Sequence, residues 1–125
     1  MGTFSQTISI GDPQGEQWLE VDALVDTGAT YTMVPGSLLQ QLGVVPHTSR
    51  RFFLADGRAI ERQMGRGWVR LDGQVEMTLL VFGDEGTAVL LGAYTLEAFG
   101  MGVDPVNRRL VPVPGVLMAA ASRVA

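Results

Sequence analysis

Apolar and polar residues alternate with a period of two along most of the chain. From Thr3 to Ile10 the alternation predicts a strand. Gly11-Asp12-Pro13-Gln14-Gly15 follows as a turn cluster. Alternation resumes from Glu16 to Val25, anchored by Trp18, Val21 and the Leu24-Val25 pair, so the two strands make a hairpin that delivers Asp26. Tyr31 to Val34 is a short extended piece. Pro35 to Gly43 reads as a helix of about two turns, opened by proline and stopped by glycine.

Further along, Arg50 to Ala55 and Arg58 to Leu71 flank Asp56-Gly57, a two-residue hairpin turn signal. Gly65 and Gly67 interrupt the longer strand, where glycine usually marks a bulge or bend. Asp72-Gly73 is a second hairpin turn, and Gln74 to Phe82 the next strand, apolar at Val75, Met77, Leu79 and Val81. After a turn at Gly83 to Gly86 come a strand from Thr87 to Leu91 and a short helix from Ala93 to Phe99, bounded by Gly92 and Gly100. A strand, an Asp104-Pro105 turn and a strand through Pro112 complete the pattern. Short strands, frequent glycine turns and two small helices predict an all-β domain, a closed or nearly closed barrel, over residues 1–114. Residues 115–125 are expected to be a tail, disordered or weakly helical.

Composition narrows the function. With 125 residues the chain is long enough for one core and too short for two substantial ones. A net charge of −4 speaks against nucleic acid, which calls for a basic face. There is no cysteine, hence no disulfide framework and no thiolate metal site, and the single His47 is too few for a histidine-based one. Gly65-Arg66-Gly67 lacks both the third glycine and the strand-to-helix switch of a phosphate loop. No apolar run reaches the roughly 20 residues of a membrane span, and the first residues have neither the basic nor the apolar part of an export signal. A cytoplasmic protein without membrane contact is therefore expected.

The chemistry is concentrated in Leu24-Val25-Asp26-Thr27-Gly28-Ala29-Thr30. An apolar strand ends in a carboxylate at the mouth of the core, and Gly28 allows a turn that a Cβ would obstruct. Val25-Asp26-Thr27-Gly28-Ala29 resembles the active-site signature of the retropepsin-like, retroviral-type aspartic proteases. Val89-Leu90-Leu91-Gly92-Ala93-Tyr94-Thr95-Leu96 is similar to that family's apolar-apolar-Gly strand, which leads into a short helix and packs behind the catalytic loop. Val103-Asp104-Pro105 with Arg109-Leu110-Val111-Pro112 is similar to the terminal hairpin of prokaryotic members, and the resemblance spans Phe4 to Val113.

The resemblance implies the acid protease fold and an endopeptidase that needs no cofactor or metal. Asp26 would be the catalytic residue, supported by Thr27, Gly28 and Ala29, with Leu91, Gly92 and Ala93 packed behind. Ala55, Asp56, Gly57 and Arg58 would form a flap over an extended peptide or protein substrate. Two carboxylates must face one water, yet Asp-Thr-Gly occurs once. Asp56 and Asp72 are hairpin tips, Asp84 and Asp104 are loop residues, and Asp22 reads as a solvent-facing strand residue. The second carboxylate is thus expected from another copy, in a two-fold homodimer. Retroviral enzymes carry an acidic residue and an arginine where this chain has Thr30 and Ala93, so a different buttress is expected. That departure keeps open a catalytically silent dimerisation or peptide-binding module, and a β-barrel of unrelated function is the third reading.

Overall fold

The structure is a computed structural model and describes residues 3–115. Strand β1 (Phe4–Gly11) and strand β2 (Trp18–Val25) pair antiparallel along their whole length, Phe4 opposite Val25 and Gly11 opposite Trp18. Asp12 closes the turn between them, its Oδ1 accepting the N–H groups of Glu16 and Gln17 at 2.7 and 2.9 Å. On the outer face Thr7 Oγ1 donates to Asp22 Oδ1 at 2.9 Å, a cross-strand contact that gives Asp22 its structural role.

The barrel grows from the other edge of β2. Strand β7 (Val89–Leu91) lies parallel to it and meets strand β3 (Thr32–Pro35) at the Met33–Leu90 pair. Strand β6 (Gln74–Gly83) runs parallel to β3 and antiparallel to strand β5 (Ala59–Leu71). Ser9 to Gly11 of β1 then pair with Trp68 to Arg70 of β5, closing six strands into a barrel. Beyond Met64, residues 59–63 of β5 pair only with strand β4 (Thr48–Phe53), so this hairpin forms an arm at the end of the sheet.

Alternate residues of the barrel strands point inward. Ile8, Ile10, Ala23, Val25, Val69, Leu71, Leu80 and Leu91 are buried together. Helix α1 (Gly36–Gln41) adds Leu39 and helix α2 (Ala93–Ala98) adds Leu96. Each fully buried leucine contributes about 2 kcal/mol by leaving water. Strands β8 (Met101–Asp104) and β9 (Arg109–Pro112) form a separate two-stranded sheet outside the barrel.

Three local expectations change, and the structure decides which face of β6 is buried. On β6 the core takes Thr78, Leu80 and Phe82, while Val75 and Met77 stay 39% and 37% exposed. Alternating apolar residues do not name their own face, and Val81, in the same alternation, is buried. Gly65 and Gly67 mark no bulge, because the β5–β6 register runs unbroken from Met64 to Leu71. They mark close approaches instead: a Cβ would lie 2.7 Å from Val44 Cγ1 at Gly65 and 2.8 Å from Gly11 O at Gly67. Asp56-Gly57 is not a two-residue turn. Leu54 pairs with Arg58 around a three-residue loop, and Gly57, at φ +87°, donates its N–H to Leu54 O. By contrast Asp72 and Gly73 both have positive φ, the two-residue turn that was expected. Pro35 precedes α1 as the last residue of β3 instead of opening the helix from within.

Among the described residues no helix is long and apolar enough to cross a membrane. Positions 116–125 of the expected tail lie outside the described residues.

Candidate active site

Asp26 is the first residue after β2. Its backbone N–H donates to Leu91 O at 3.1 Å, which ties the end of β2 to the end of β7. Its carbonyl accepts the Ala29 N–H at 3.1 Å, and its Oδ1 accepts the Gly28 N–H at 2.9 Å. The carboxylate is thus oriented by its own loop and remains only half-buried.

That loop is laced to the segment behind it. Ala93 N–H donates to Ala29 O at 2.9 Å and Tyr94 N–H to Thr30 O at 2.8 Å. Gly92 sits where nothing larger fits, since a Cβ there would lie 2.4 Å from Tyr31 O. The structure therefore brings Asp26, Thr27, Gly28 and Ala29 together with Leu91, Gly92 and Ala93. Thr30 and Ala93, the uncharged positions noted in the sequence, face this seam through backbone hydrogen bonds.

Behind the seam lies a buried relay of hydroxyls with no counterpart in the sequence reading. Thr32 Oγ1 accepts the Gly92 N–H at 3.1 Å and shares a hydrogen with Thr95 Oγ1 at 2.6 Å. Thr95 in turn lies 2.9 Å from Thr78 Oγ1. All three side chains are buried. A threonine in each of three apolar stretches was the available signal, but only the fold shows that they meet. Thr95→Val keeps the volume, removes the hydroxyl that Thr78 bonds and leaves Thr32 only the Gly92 N–H. It should cost about 1–3 kcal/mol in urea unfolding, and an unchanged midpoint would mean that the relay does not hold the seam.

Two cavities adjoin the loop. One, of about 650 Å³, lies between Gly28–Tyr31 and the β4–β5 arm, with Met33, Val81 and Leu90 on its floor. Tyr31 meets Phe52 of β4 edge to face, at 6.1 Å between ring centroids, and packs on Tyr94 at 5.6 Å. The arm contributes Arg51 to Leu54, Ile60 and Arg62. Ala55, Asp56, Gly57 and Arg58 form its tip and are not among the lining residues. The other cavity, about 440 Å³, lies against Asp26 and Thr27 and is walled by Phe4, Val103, Pro105 and Arg108. Arg108 also donates to Thr3 O at 2.6 Å.

Fixed charges surround the first cavity. Arg62 Nη2 lies 2.9 Å from Asp84 Oδ2 on its rim. The next residue, Glu85, accepts the Ser37 N–H at 3.0 Å and the Ser37 hydroxyl, which anchors the turn to the start of α1. The hydroxyl, then the N–H, hold the Glu85 carboxyl below its ordinary value of 4.5. At the tip of the arm the Arg58 N–H, then its guanidinium, lower Asp56 in the same way. A depressed folded value contributes stability above the unfolded value and loses it as the pH falls through the folded one. Ser37→Ala should therefore move the Glu85 titration upward, as read by NMR, and flatten the acid limb of the stability curve. A Glu85 titration that does not move would contradict this anchoring. Among the described residues, no three His, Cys, Asp or Glu side chains group as metal ligands.

A family model described as aspartyl protease matches residues 7–95. No curated protein matches the chain. Solved structures do. The chain is similar to the simian foamy virus (mac) protease in solution, with 16% identity over 75% of this chain and 92% of that one, and a TM-score of 0.54. It is also similar to the EIAV protease complexed with the inhibitor HBY-793, with 17% identity over 79% and 89% of the two chains and a TM-score of 0.59. At these identities the likeness shows a shared retropepsin-like fold. The family match takes in the Asp26 loop, the β4–β5 arm and the Gly92 strand, and the chain belongs to the aspartyl protease family.

Proposed function

We propose that this protein is an aspartic endopeptidase whose catalytic pair is Asp26 and Asp26 of a second copy. The observation that carries the reading is the Asp26 carboxylate, oriented by its own loop at the end of β2 and bordering a cavity. The other carboxylate beside the two cavities, Asp84, is already paired with Arg62. The β8–β9 hairpin adds support. This pair stands outside the barrel sheet, packs on the core through Met101, Val103 and Leu110, and lies beside Asp26 and Thr27. A partner copy seated there would bring the two Asp26 loops face to face, each Thr27 hydroxyl bonding the opposing loop.

In such a pair, two carboxylates about 3 Å apart share one proton. The ionised member takes a proton from water as it attacks the scissile carbonyl, and the protonated member donates to the carbonyl oxygen. Substrate would lie extended between Gly28–Tyr31 and the free edge of β4, pairing through its backbone. The β4–β5 arm would act as the flap, with Ala55 to Arg58 at its tip. Neutral Thr30 and Ala93 favour one second reading, a catalytically silent dimerisation or peptide-binding module.

The test is cleavage of a peptide library at about pH 4 to 7, the range in which a shared proton is held. Specific activity should rise with protein concentration, in step with the dimer fraction seen by ultracentrifugation, and fall toward alkaline pH. A well-folded dimer that cleaves nothing would support the silent module. Activity independent of concentration in a monomeric sample would end the two-copy mechanism.

A further inference from the structure

The β4–β5 arm is cationic on an acidic molecule. Residues 48–63 hold Arg50, Arg51, Arg58 and Arg62 against Asp56 and Glu61, while the whole chain carries −4. Three of these arginines have an acid beside them. Arg58 Nε lies 2.7 Å from Asp56, Arg62 Nη2 lies 2.9 Å from Asp84, and Arg51 stands opposite Glu61 in the strand register. Arg50 stands opposite Arg62. Like charges directly opposite one another weaken a strand pair, and Asp84 pairs with Arg62. Among the described residues Arg50 makes no salt bridge.

The face matters as much as the charge. Side chains alternate along a strand, so Arg50 shares a face with Phe52 and, through their cross-strand partners, with Ile60 and Arg62. Phe52, Ile60 and Arg62 line the large cavity together with Arg51, Phe53 and Leu54, and Arg50 stands just outside that lining. Arg50 is exposed on that same face, about 7 Å further from the tip than Phe52. An extended peptide lying along β4 would present every second side chain to this face.

We infer that Arg50 is a specificity-determining residue, one that pairs with an acidic side chain of the peptide. That side chain would lie two residues along from the apolar one filling the cavity between Tyr31 and Phe52. The inference rests on the groove being the peptide site proposed above. Its chemistry is an exposed ion pair beside an apolar anchor, so it biases selection among peptides that the anchor already admits.

The experiment uses the whole chain carrying Asp26→Asn, which leaves peptides intact. Fluorescein-labelled decapeptides with a central Leu-Phe pair and alanine elsewhere carry one Glu, Gln or Lys at each position in turn. At one flanking position Glu should bind about 3- to 5-fold more tightly than Gln, the scale of an exposed pair. The preference should vanish in Arg50→Gln, turn toward Lys in Arg50→Glu, and fade in about 1 M salt, where the Debye length is about 3 Å. Equal binding of the Glu and Gln peptides at every position would overturn the inference. A Glu preference untouched by Arg50→Gln would overturn it as well, and so would no binding of any peptide. Wild-type protein cleaving the Glu, Gln and Lys peptides equally well at every position would sink this inference alone, whereas a wild type that cleaves nothing counts against the protease itself.

Discussion

Asp26→Asn is expected to lower kcat for peptide cleavage by about 10³-fold, within the range that general acid–base groups contribute. The fold should survive. Asparagine keeps an oxygen where Asp26 Oδ1 accepts the Gly28 N–H at 2.9 Å, so the loop retains its internal bond. What disappears is the ability to take a proton from water and return it to the substrate. Unfolding free energy should stay within about 1 kcal/mol of wild type. The same variant counts the copies in the site. If each active site takes one Asp26 from each subunit, equal mixing with wild type after dissociation leaves about one quarter of the dimers intact. Activity should fall to that fraction. A fall to one half would mean that each chain works alone, and undiminished cleavage by clean Asp26→Asn protein would end the assignment altogether.

The second large effect is expected at Gly92. A Cβ added there would sit 2.4 Å from Tyr31 O, 2.5 Å from Tyr31 C and 3.0 Å from Ala29 O. These are backbone atoms, so no side chain can swing aside. To admit the methyl group, the end of β7 must move away from the Asp26 loop. The bonds at risk are Asp26 N–H to Leu91 O, Ala93 N–H to Ala29 O, Tyr94 N–H to Thr30 O and Gly92 N–H to Thr32 Oγ1. Gly92→Ala should therefore cost about 3 kcal/mol or more in urea unfolding. Whatever protein remains folded should lose activity with it, because the carboxylate is carried on the displaced loop. Gly28→Ala is the milder comparison, its Cβ meeting only Asp26 Oδ1 at 3.2 Å. A Gly92→Ala protein as stable as wild type would show that the seam is more pliant than its contacts imply.

The seam shows why so much of this site was legible in the chain. Gly28 and Gly92 entered through the family resemblance: Gly28 has no positive φ and its Cβ would meet only Asp26 Oδ1 at 3.2 Å, while the backbone that Gly92 must clear belongs to Tyr31 and Ala29, distant along the chain. Asp26 is different, because the alternation of β2 places it at a strand end one position at a time. The same holds for the Asp72-Gly73 turn, where two positive φ values demand those residue types. The tip of the arm was less legible. Gly57 marked it, but whether two or three residues turn the corner depends on which carbonyl receives the Gly57 N–H, and Leu54 does.

What stayed hidden depends on long-range pairing. Thr32, Thr78 and Thr95 are ordinary residues until β3, β6 and α2 bring their hydroxyls together. Val75 and Met77 alternate like core residues, yet the barrel turns that end of β6 outward. Arg62 meets Asp84 and Tyr31 meets Phe52 only because the arm folds over the groove. The sequence alone determined the strands, most of the turns and the one carboxylate loop, because period, turn chemistry and glycine are local physics. The tertiary structure alone decided which face each strand buries, which polar groups satisfy one another in the core, and which charges stand at the groove. Those outcomes are set by neighbours distant along the chain, whose identity no local pattern contains.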